Sequence, residues 1–288
     1  MKAEFYPEQD VPYFCVVGSP ISHSWSPQIH QLFAAQCGLR LTYERVEVRV
    51  GELRDAIGAF KAVGGRGMNV TVPLKEEAYR LAERLQPAAA EAGAANTLWF
   101  EADGALAADN TDGAGLVRDL VRNLGGVITG MRILMIGAGG AARGVLPMIL
   151  REAPAEVVLE NRNLERAVAL ARHFAPLGRI GVQPLGTAVA RAYDIIVNAT
   201  SSGLVAESPR LGAGAVEPGT WCYDMMYGAD PSPFIREASR LGARLCSDGL
   251  GMLIEQAAVA FRIWHGCEPE TKPVIVAIRD AMKLRQKK

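Results

Sequence analysis

The sequence predicts an α/β fold in two domains, and three observations carry that expectation. The chain has 288 residues, more than one typical domain and enough for two. Short apolar runs that read as buried strands alternate along it with stretches of helical spacing. One of those runs, Ile133-Leu134-Met135-Ile136, meets Gly137-Ala138-Gly139-Gly140-Ala141-Ala142, a strand that ends in glycines and leads into an Ala-rich helix.

That glycine turn orders the rest. Such a strand–turn–helix brings backbone N–H groups and a helix N-terminus up to a diphosphate. Gly137 would make the tight turn, Gly139 would let a pyrophosphate approach the backbone, and Ala142 would let helix and strand pack closely. Val157-Val158-Leu159 forms a second apolar strand, ending about twenty residues beyond the glycines, which is the spacing of a dinucleotide-binding unit.

Composition narrows the partners. Lys plus Arg and Asp plus Glu both number 31, so no basic surplus points to nucleic acid or an anionic membrane. No apolar run has transmembrane length, and Met1-Lys2-Ala3-Glu4 does not open a signal peptide, so a soluble, cytoplasmic protein is expected. The cysteines Cys15, Cys37, Cys222, Cys246 and Cys267 are widely spread, without a C-x-x-C pair or metal-ligand spacing. They read as reduced, mostly buried thiols, and no metal site is expected.

In chain order, Phe14-Cys15-Val16-Val17 is a buried strand feeding the loop Gly18–Pro27. Pro27 suits the first helical position, which makes Ser26 an expected N-cap of a helix Pro27–Cys37. In an extended segment Ser24 and Ser26 would point the same way, an arrangement that can hold a carboxylate. His23 and His30 read as loop or packing residues. Leu41 to Val50 alternates as a strand, and Leu53, Ile57 and Phe60 follow at helical spacing. Met68 to Val72 is a further strand, with a helix expected to start at Pro73. Lys75 falls in its first turn, where a cation opposes the helix dipole, so local helix stability does not explain the placement.

Ala94–Phe100 and Leu106–Asp109 read as two strands around the hairpin signal Asp103-Gly104. Asn110-Thr111-Asp112-Gly113 precedes an expected helix Leu116–Leu124, and Asp112 sits at or near its N-terminus, where the dipole favours a carboxylate. Glu160-Asn161-Arg162-Asn163-Leu164-Glu165-Arg166 lies where a dinucleotide fold meets the adenosine ribose. Arg162 and Arg166, at i and i+4, are expected to face alike and suit a 2′-phosphate, which favours NADP over NAD. Glu160 opposes this, since an acidic strand end can bind a free 2′-OH, unless Asn161 is the terminal residue and Glu160 points away. Asp194–Asn198 and Trp221–Asp224 are later strands, and Gly249-Leu250-Gly251-Met252 opens an apolar helix carrying Gln256. A helix from Pro273 to about Leu284 closes the chain.

Taken together, the segments Gly18–Pro27, Asn69–Lys75, Asn96-Thr97, Asn110–Gly113, Gly137–Ala142, Asn161-Arg162, Asn198–Gly203 and Asp248–Gln256 resemble, in order, the motifs of the shikimate dehydrogenase family. The resemblance covers nearly the whole chain. It implies reversible NADPH-dependent reduction of 3-dehydroshikimate to shikimate, in the pathway to aromatic amino acids. It implies Ser24 and Ser26 on the substrate carboxylate, and Thr71, Lys75, Asn96, Asp112, Tyr227 and Gln256 around its hydroxyls. Lys75 and Asp112 would be the catalytic pair. Cofactor contacts are implied at Gly137, Ala138, Gly139, Gly140, Ala141, Asn161, Arg162, Asn163, Arg166, Thr200, Gly249 and Met252. Asn163 departs from the Thr that often follows Asn-Arg in the family.

The implied division is a substrate domain of residues 1–112 and 249–288, the latter a helical return, and a Rossmann-type NADP domain of residues 113–248. A monomer or homodimer is expected. Ser26 argues against a quinate-preferring relative, which tends to carry Thr there, and the presence of both Lys75 and Asp112 argues against a catalytically silent regulator.

Overall fold

The computed structural model describes residues 3–200 and 209–286. The motif residues Ser201-Ser202-Gly203 and the tail Lys287-Lys288 lie outside them. The chain divides into two compact units, Met1–Gly115 with Ile254–Ile278, and Leu116–Leu253 with Arg279–Lys288.

The first unit is built on β1 (Tyr13–Gly18), α1 (Ser26–Gln36), β2 (Thr42–Glu47), α2 (Leu53–Ala62), β3 (Gly65–Val70), α3 (Lys75–Leu81), β4 (Arg84–Leu85), α4 (Pro87–Ala92), β5 (Thr97–Phe100), β6 (Leu106–Asp109) and the start of α5 (Asp112–Arg118). Its sheet has the order β2-β1-β3-β5-β6-β4. The first three strands are parallel, and the β5–β6 hairpin turns antiparallel to β3. Alternation along β1 separates two cores: Tyr13, Cys15 and Val17 join Phe60, Leu53 and Leu98 on one face. Phe14 faces the other way, stacked on Trp264 with ring centroids 5.0 Å apart. Gly67 has no room for a side chain there, since a Cβ would fall 2.6 Å from the Trp264 ring.

The second unit carries β7 (Arg132–Ile136), α6 (Gly140–Arg151), β8 (Glu156–Asn161), α7 (Leu164–Phe174), β9 (Ile180–Pro184), β10 (Ile195–Asn198), β11 (Trp221–Asp224), α8 (Pro233–Arg240), β12 (Leu245–Asp248) and the start of α9 (Leu250–His265). Its strands are all parallel, in the order β12-β11-β10-β7-β8-β9. Strand order reverses between β7 and β10, and the carboxyl ends there form the crevice where such sheets take ligands. Buried residues cover both faces, Met135, Val145 and Leu159 on one and Leu134, Val158 and Ile196 on the other. Near-continuous apolar strands require this burial on both sides.

Three expectations are corrected by the fold. The division within the C-terminal return differs from the 1–112, 113–248 and 249–288 scheme. Gly249–Leu253 and Arg279–Lys288 group with the second unit, although α10 (Thr271–Gln286) begins in the first. Arg279 explains the later switch: it donates to Asp248 at 2.5 and 2.6 Å and to the Gly228 carbonyl at 3.0 Å. The thiol reading fails for Cys37 and Cys267, which form a disulfide across 230 residues of sequence. Folding sets the C-cap of α1 beside the segment before α10, where the Gln36 amide also brackets the Glu270 backbone. Such a pairing has no signature in spacing. Cys15, Cys222 and Cys246 are free.

The third correction concerns Ser26. It is the first residue of α1, not its cap, and Pro27 follows inside the helix. Trp25, the residue at the cap, has helical dihedrals and makes no side-chain cap bond.

Candidate active site

The carboxyl ends of β1, β3 and β6 and the amino end of β5 lie at one edge of the first sheet, and the polar residues expected there are carried by the segments that leave them. Gly18 closes β1 against the next loop: a Cβ would fall 2.5 Å from the Thr71 methyl. Glycine therefore lets the serine loop and the Thr71 loop lie side by side, with Thr71 N–H donating to Val17 O at 2.9 Å and Ser19 N–H to Val72 O at 3.1 Å.

In the serine loop, Ser24 N–H donates to Ile21 O at 3.1 Å, so the segment turns and is not extended. Its hydroxyls still meet. Ser24 Oγ lies 3.1 Å from Ser26 Oγ and accepts the Ser26 N–H at 3.2 Å. The capping bond at the start of α1 is thus made by Ser24, two residues before the expected place. Arg45, for which the sequence offers no local signal, fixes this loop from β2: its guanidinium donates to Ser24 O at 2.6 Å and to Gln28 Oε1 at 2.7 Å.

Beyond β3, Leu74 N–H turns back to Thr71 O at 2.9 Å, and α3 begins at Lys75, two residues past the expected Pro73 start. Lys75 Nζ lies 2.6 Å from Asp112 Oδ2, the two side chains being 15% and 7% exposed. A lysine at the first position of α3 thus has an ion-pair partner from another element, which answers why it stands against the helix dipole. Asp112 opens α5. Its other oxygen accepts Asn96 Nδ2 at 2.9 Å, and its N–H is held by Asn110 Oδ1 at 3.1 Å.

Asn96 also reaches Gln256 Oε1 at 3.1 Å on α9, and Thr111 Oγ donates to the same oxygen at 3.2 Å. Lys75, Asp112, Asn96 and Gln256 therefore form one continuous network. Thr111 and Asn110 belong to it without having been singled out. The run of polar residues before Asp112 was the available signal. Tyr227 is partly buried in the segment after β11 of the second unit.

The second unit holds the residues expected at a cofactor. Gly137 has φ +111°, and a Cβ on it would lie 3.1 Å from Ala199 and 3.2 Å from the Thr200 methyl, so glycine is required twice over. Beyond their chain neighbours and the backbone of α6, no described residue comes within 4 Å of a Cβ built on Gly139 or Gly140. Gly139 is the N-cap of α6 and offers no side-chain cap, which leaves the first N–H groups of the helix, from Gly140 and Ala141 onward, to an anion. Ala138 is partly buried, and Ala142 is fully buried against the sheet. These features fit a dinucleotide diphosphate.

At the end of β8, Asn161 is the terminal residue and Glu160 is 1% exposed. The Glu160 carboxylate accepts Gln183 Nε2 at 2.6 Å and Gly186 N–H at 3.0 Å, so it is committed within the fold. Asn161 Nδ2 donates to Asn163 O at 2.8 Å, and Asn163 caps α7 by accepting the Arg166 N–H at 3.0 Å. Arg162 therefore precedes the helix and shares no helical face with Arg166, contrary to the i, i+4 reading; both are exposed. Thr200 is tied to Asn198 Oδ1 at 2.7 Å just past β10, and Gly249 follows β12. Met252 is 6% exposed and joins the core of the second unit.

Residues 16–98 match the shikimate dehydrogenase substrate binding domain, 119–219 the shikimate / quinate 5-dehydrogenase model, and 249–279 the shikimate 5′-dehydrogenase C-terminal domain. The chain is 51% identical to a shikimate dehydrogenase (NADP+) of Alkalilimnicola ehrlichii, over 92% of this chain and 98% of that one. Among solved structures, a shikimate dehydrogenase in complex with NADP+ superposes with a TM-score of 0.87 at 31% identity, covering 96% and 98% of the two chains. Shikimate 5-dehydrogenase from Thermus thermophilus, in complex with NADP(H) and shikimate, gives 0.82 at 34% identity over 94% and 100%. In sequence and in fold, the chain belongs to the shikimate dehydrogenase family.

Proposed function

We infer that the chain carries out the reaction of its family, the reversible NADPH-dependent reduction of 3-dehydroshikimate to shikimate, with Lys75 and Asp112 as the proton-handling pair. The observation that supports this assignment of roles is the 2.6 Å contact between Lys75 Nζ and Asp112 Oδ2 in a largely enclosed network. Bound NADP supplies or takes the hydride. As the hydride leaves, a hydroxyl becomes a carbonyl and its proton must go to a positioned group. Lys75 exchanges that proton with the reacting oxygen, and Asp112 holds the lysine and an adjacent substrate hydroxyl. Asn96 and Gln256, bonded to each other and to Asp112 or Thr111, orient the remaining hydroxyls along with Thr71 and Tyr227. Ser24 and Ser26 hold the carboxylate.

Gly137, Ala138, Gly139, Gly140 and Ala141 take the diphosphate, while Asn161, Arg162, Asn163 and Arg166 meet the adenosine end. Thr200, Gly249 and Met252 complete the cofactor site. With Glu160 turned into the fold, Arg162 and Arg166 are exposed just beyond the end of β8, which supports a 2′-phosphate ligand. No helix among the described residues is long and apolar enough to cross a membrane. The enzyme works in the cytoplasm as a monomer or homodimer, with no nucleic-acid or membrane partner. Initial rates with shikimate and quinate, each against NADP and NAD, test the reading: shikimate with NADP should give the highest kcat/KM, and a quinate or NAD preference would overturn it.

A further inference from the structure

Gly251 lies in the Gly249-Leu250-Gly251-Met252 turn, between the two residues proposed as cofactor contacts, and has no part in that site itself. A Cβ built on it would fall 2.0 Å from Asp119 Oδ1 and 2.4 Å from Oδ2. The carboxylate of Asp119 therefore lies directly against the first turn of α9, where the helix dipole favours a negative charge. Asp119 opens the π-helical turn Asp119–Asn123 that continues α5 and is 3% exposed. Its Oδ2 accepts the Tyr223 hydroxyl at 2.7 Å and its Oδ1 accepts Asn123 Nδ2 at 2.9 Å. Tyr223 is fully buried on β11. Burial first, and then the Asp119 charge, push its phenol well above the ordinary range, so it stays a donor.

The same turn is closed from its other side. A Cβ on Gly249 would fall 2.3 Å from Met225 O, and Gly249 N–H donates to Met226 O at 3.0 Å. Asp248, immediately before it, accepts Leu250 N–H at 3.3 Å and is gripped by Arg279. Both glycines are thus fitted to fixed groups, and the backbone between them has little freedom to shift. A displacement of a positioning element by about 1 Å is enough to slow a reaction by about 100-fold.

We propose that Asp119 and Tyr223 are positioning residues of the cofactor site: through the carboxylate seated against Gly251 they set the first turn of α9, and with it the places of Gly249 and Met252. The proposal rests on the reading of Gly249 and Met252 as cofactor contacts. It gives Gly251 its reason, since any side chain there would push the carboxylate and the turn apart.

The full-length enzyme tests this through Tyr223→Phe, Asp119→Asn, Gly251→Ala and Met252→Ala, each assayed for kcat, both KM values and thermal midpoint. Tyr223→Phe removes a single hydroxyl and keeps the ring, so it serves where a harsher change fails to fold. Tyr223→Phe and Gly251→Ala should raise the KM for NADP by about tenfold or lower kcat by as much, with the KM for shikimate within about twofold. Asp119→Ser, which makes room, should reduce the cost of Gly251→Ala, giving a double mutant less impaired than the product of the singles. A fall in thermal midpoint with kinetic constants unchanged in Tyr223→Phe, Asp119→Asn and Gly251→Ala would overturn the proposal while Met252→Ala is still impaired. If Met252→Ala itself has normal kinetics, the cofactor reading fails first, and the proposal with it.

Discussion

Ser24 and Ser26 set their hydroxyl oxygens 3.1 Å apart, and the Ser24 oxygen also accepts the Ser26 N–H. The consequence is a division of labour opposite to the one expected from Pro27. Ser24→Ala should lose both the capping bond, worth about 1 kcal/mol, and shikimate affinity. Ser26→Ala should weaken shikimate binding with a smaller loss of stability. Thermal unfolding and the KM for shikimate check this, and equal stability losses in the two variants would contradict it.

Glu160 commits its carboxylate to Gln183 and Gly186, while Arg162 and Arg166 are exposed. Arg162→Ala should therefore raise the KM for NADP much more than that for NAD, by the 1.5–3 kcal/mol or so of a charged hydrogen bond. Glu160→Gln should leave the ratio of the two KM values near wild type. A ratio altered by Glu160→Gln and untouched by Arg162→Ala would reverse the assignment.

What could be read in advance follows the range of the physical signal. Strands buried on both faces announce themselves as apolar runs, so β1, β7, β8, β10 and β11 were legible, as were the glycines whose spacing has a mechanical reason. The two-residue β4 is not legible because pairing with β6, not local pattern, makes it, whereas the short α4 does carry local signals, Pro87 at its start and a left-handed Gly93 at its end. The Cys37–Cys267 bond and the Arg45 clamp depend on contacts across long separations that spacing does not encode. Lys75 and Asp112 were legible singly as charges at helix starts; their meeting is a product of topology, since β3 and β6 end at the same edge of one sheet.

The disulfide makes stability depend on redox state. Closing a loop between residues 230 apart constrains the unfolded chain by about 5 kcal/mol on the loop-entropy account. Protein prepared oxidised should unfold at lower denaturant after reduction, and Cys37→Ser should abolish that difference. In a reducing cytoplasm the bond would stand open, so the reduced form should keep its turnover.

His30 makes stability depend on pH. The ring is fully buried and stacked on Tyr43 at 4.3 Å. Burial, and next the charge of His265, lower its pKa from the ordinary 6.5 to about 3. The unfolded chain therefore takes up a proton below pH 6.5 that the folded protein refuses until about pH 3. Stability should fall with pH through that window, by up to about 1.4 kcal/mol per pH unit from this group. His30→Phe, which keeps an aromatic ring, should flatten the acid limb of denaturant midpoint against pH; an unchanged slope would remove His30 as the source.

Lys75 and Asp112 reach each other from the first turns of two different helices, and Asp112 is held in turn by Asn96 and Asn110. If the pair carries the proton while the hydride moves, Lys75→Ala and Asp112→Ala should each cut turnover by about 100-fold or more. Folding and NADP affinity should persist, because the residues proposed to hold the cofactor belong to the other unit. Removing Lys75 leaves a largely buried carboxylate without its cation, so Asp112→Asn is the gentler second variant. Groups that act as a unit are not additive: once one is gone, losing the other costs little. The double mutant should therefore turn over shikimate far faster than the product of the single losses allows. A double-mutant cycle on kcat with shikimate and NADP measures this. Multiplicative losses, or near-normal turnover in Lys75→Ala, would leave the 2.6 Å contact as a structural ion pair and move the proton transfer elsewhere.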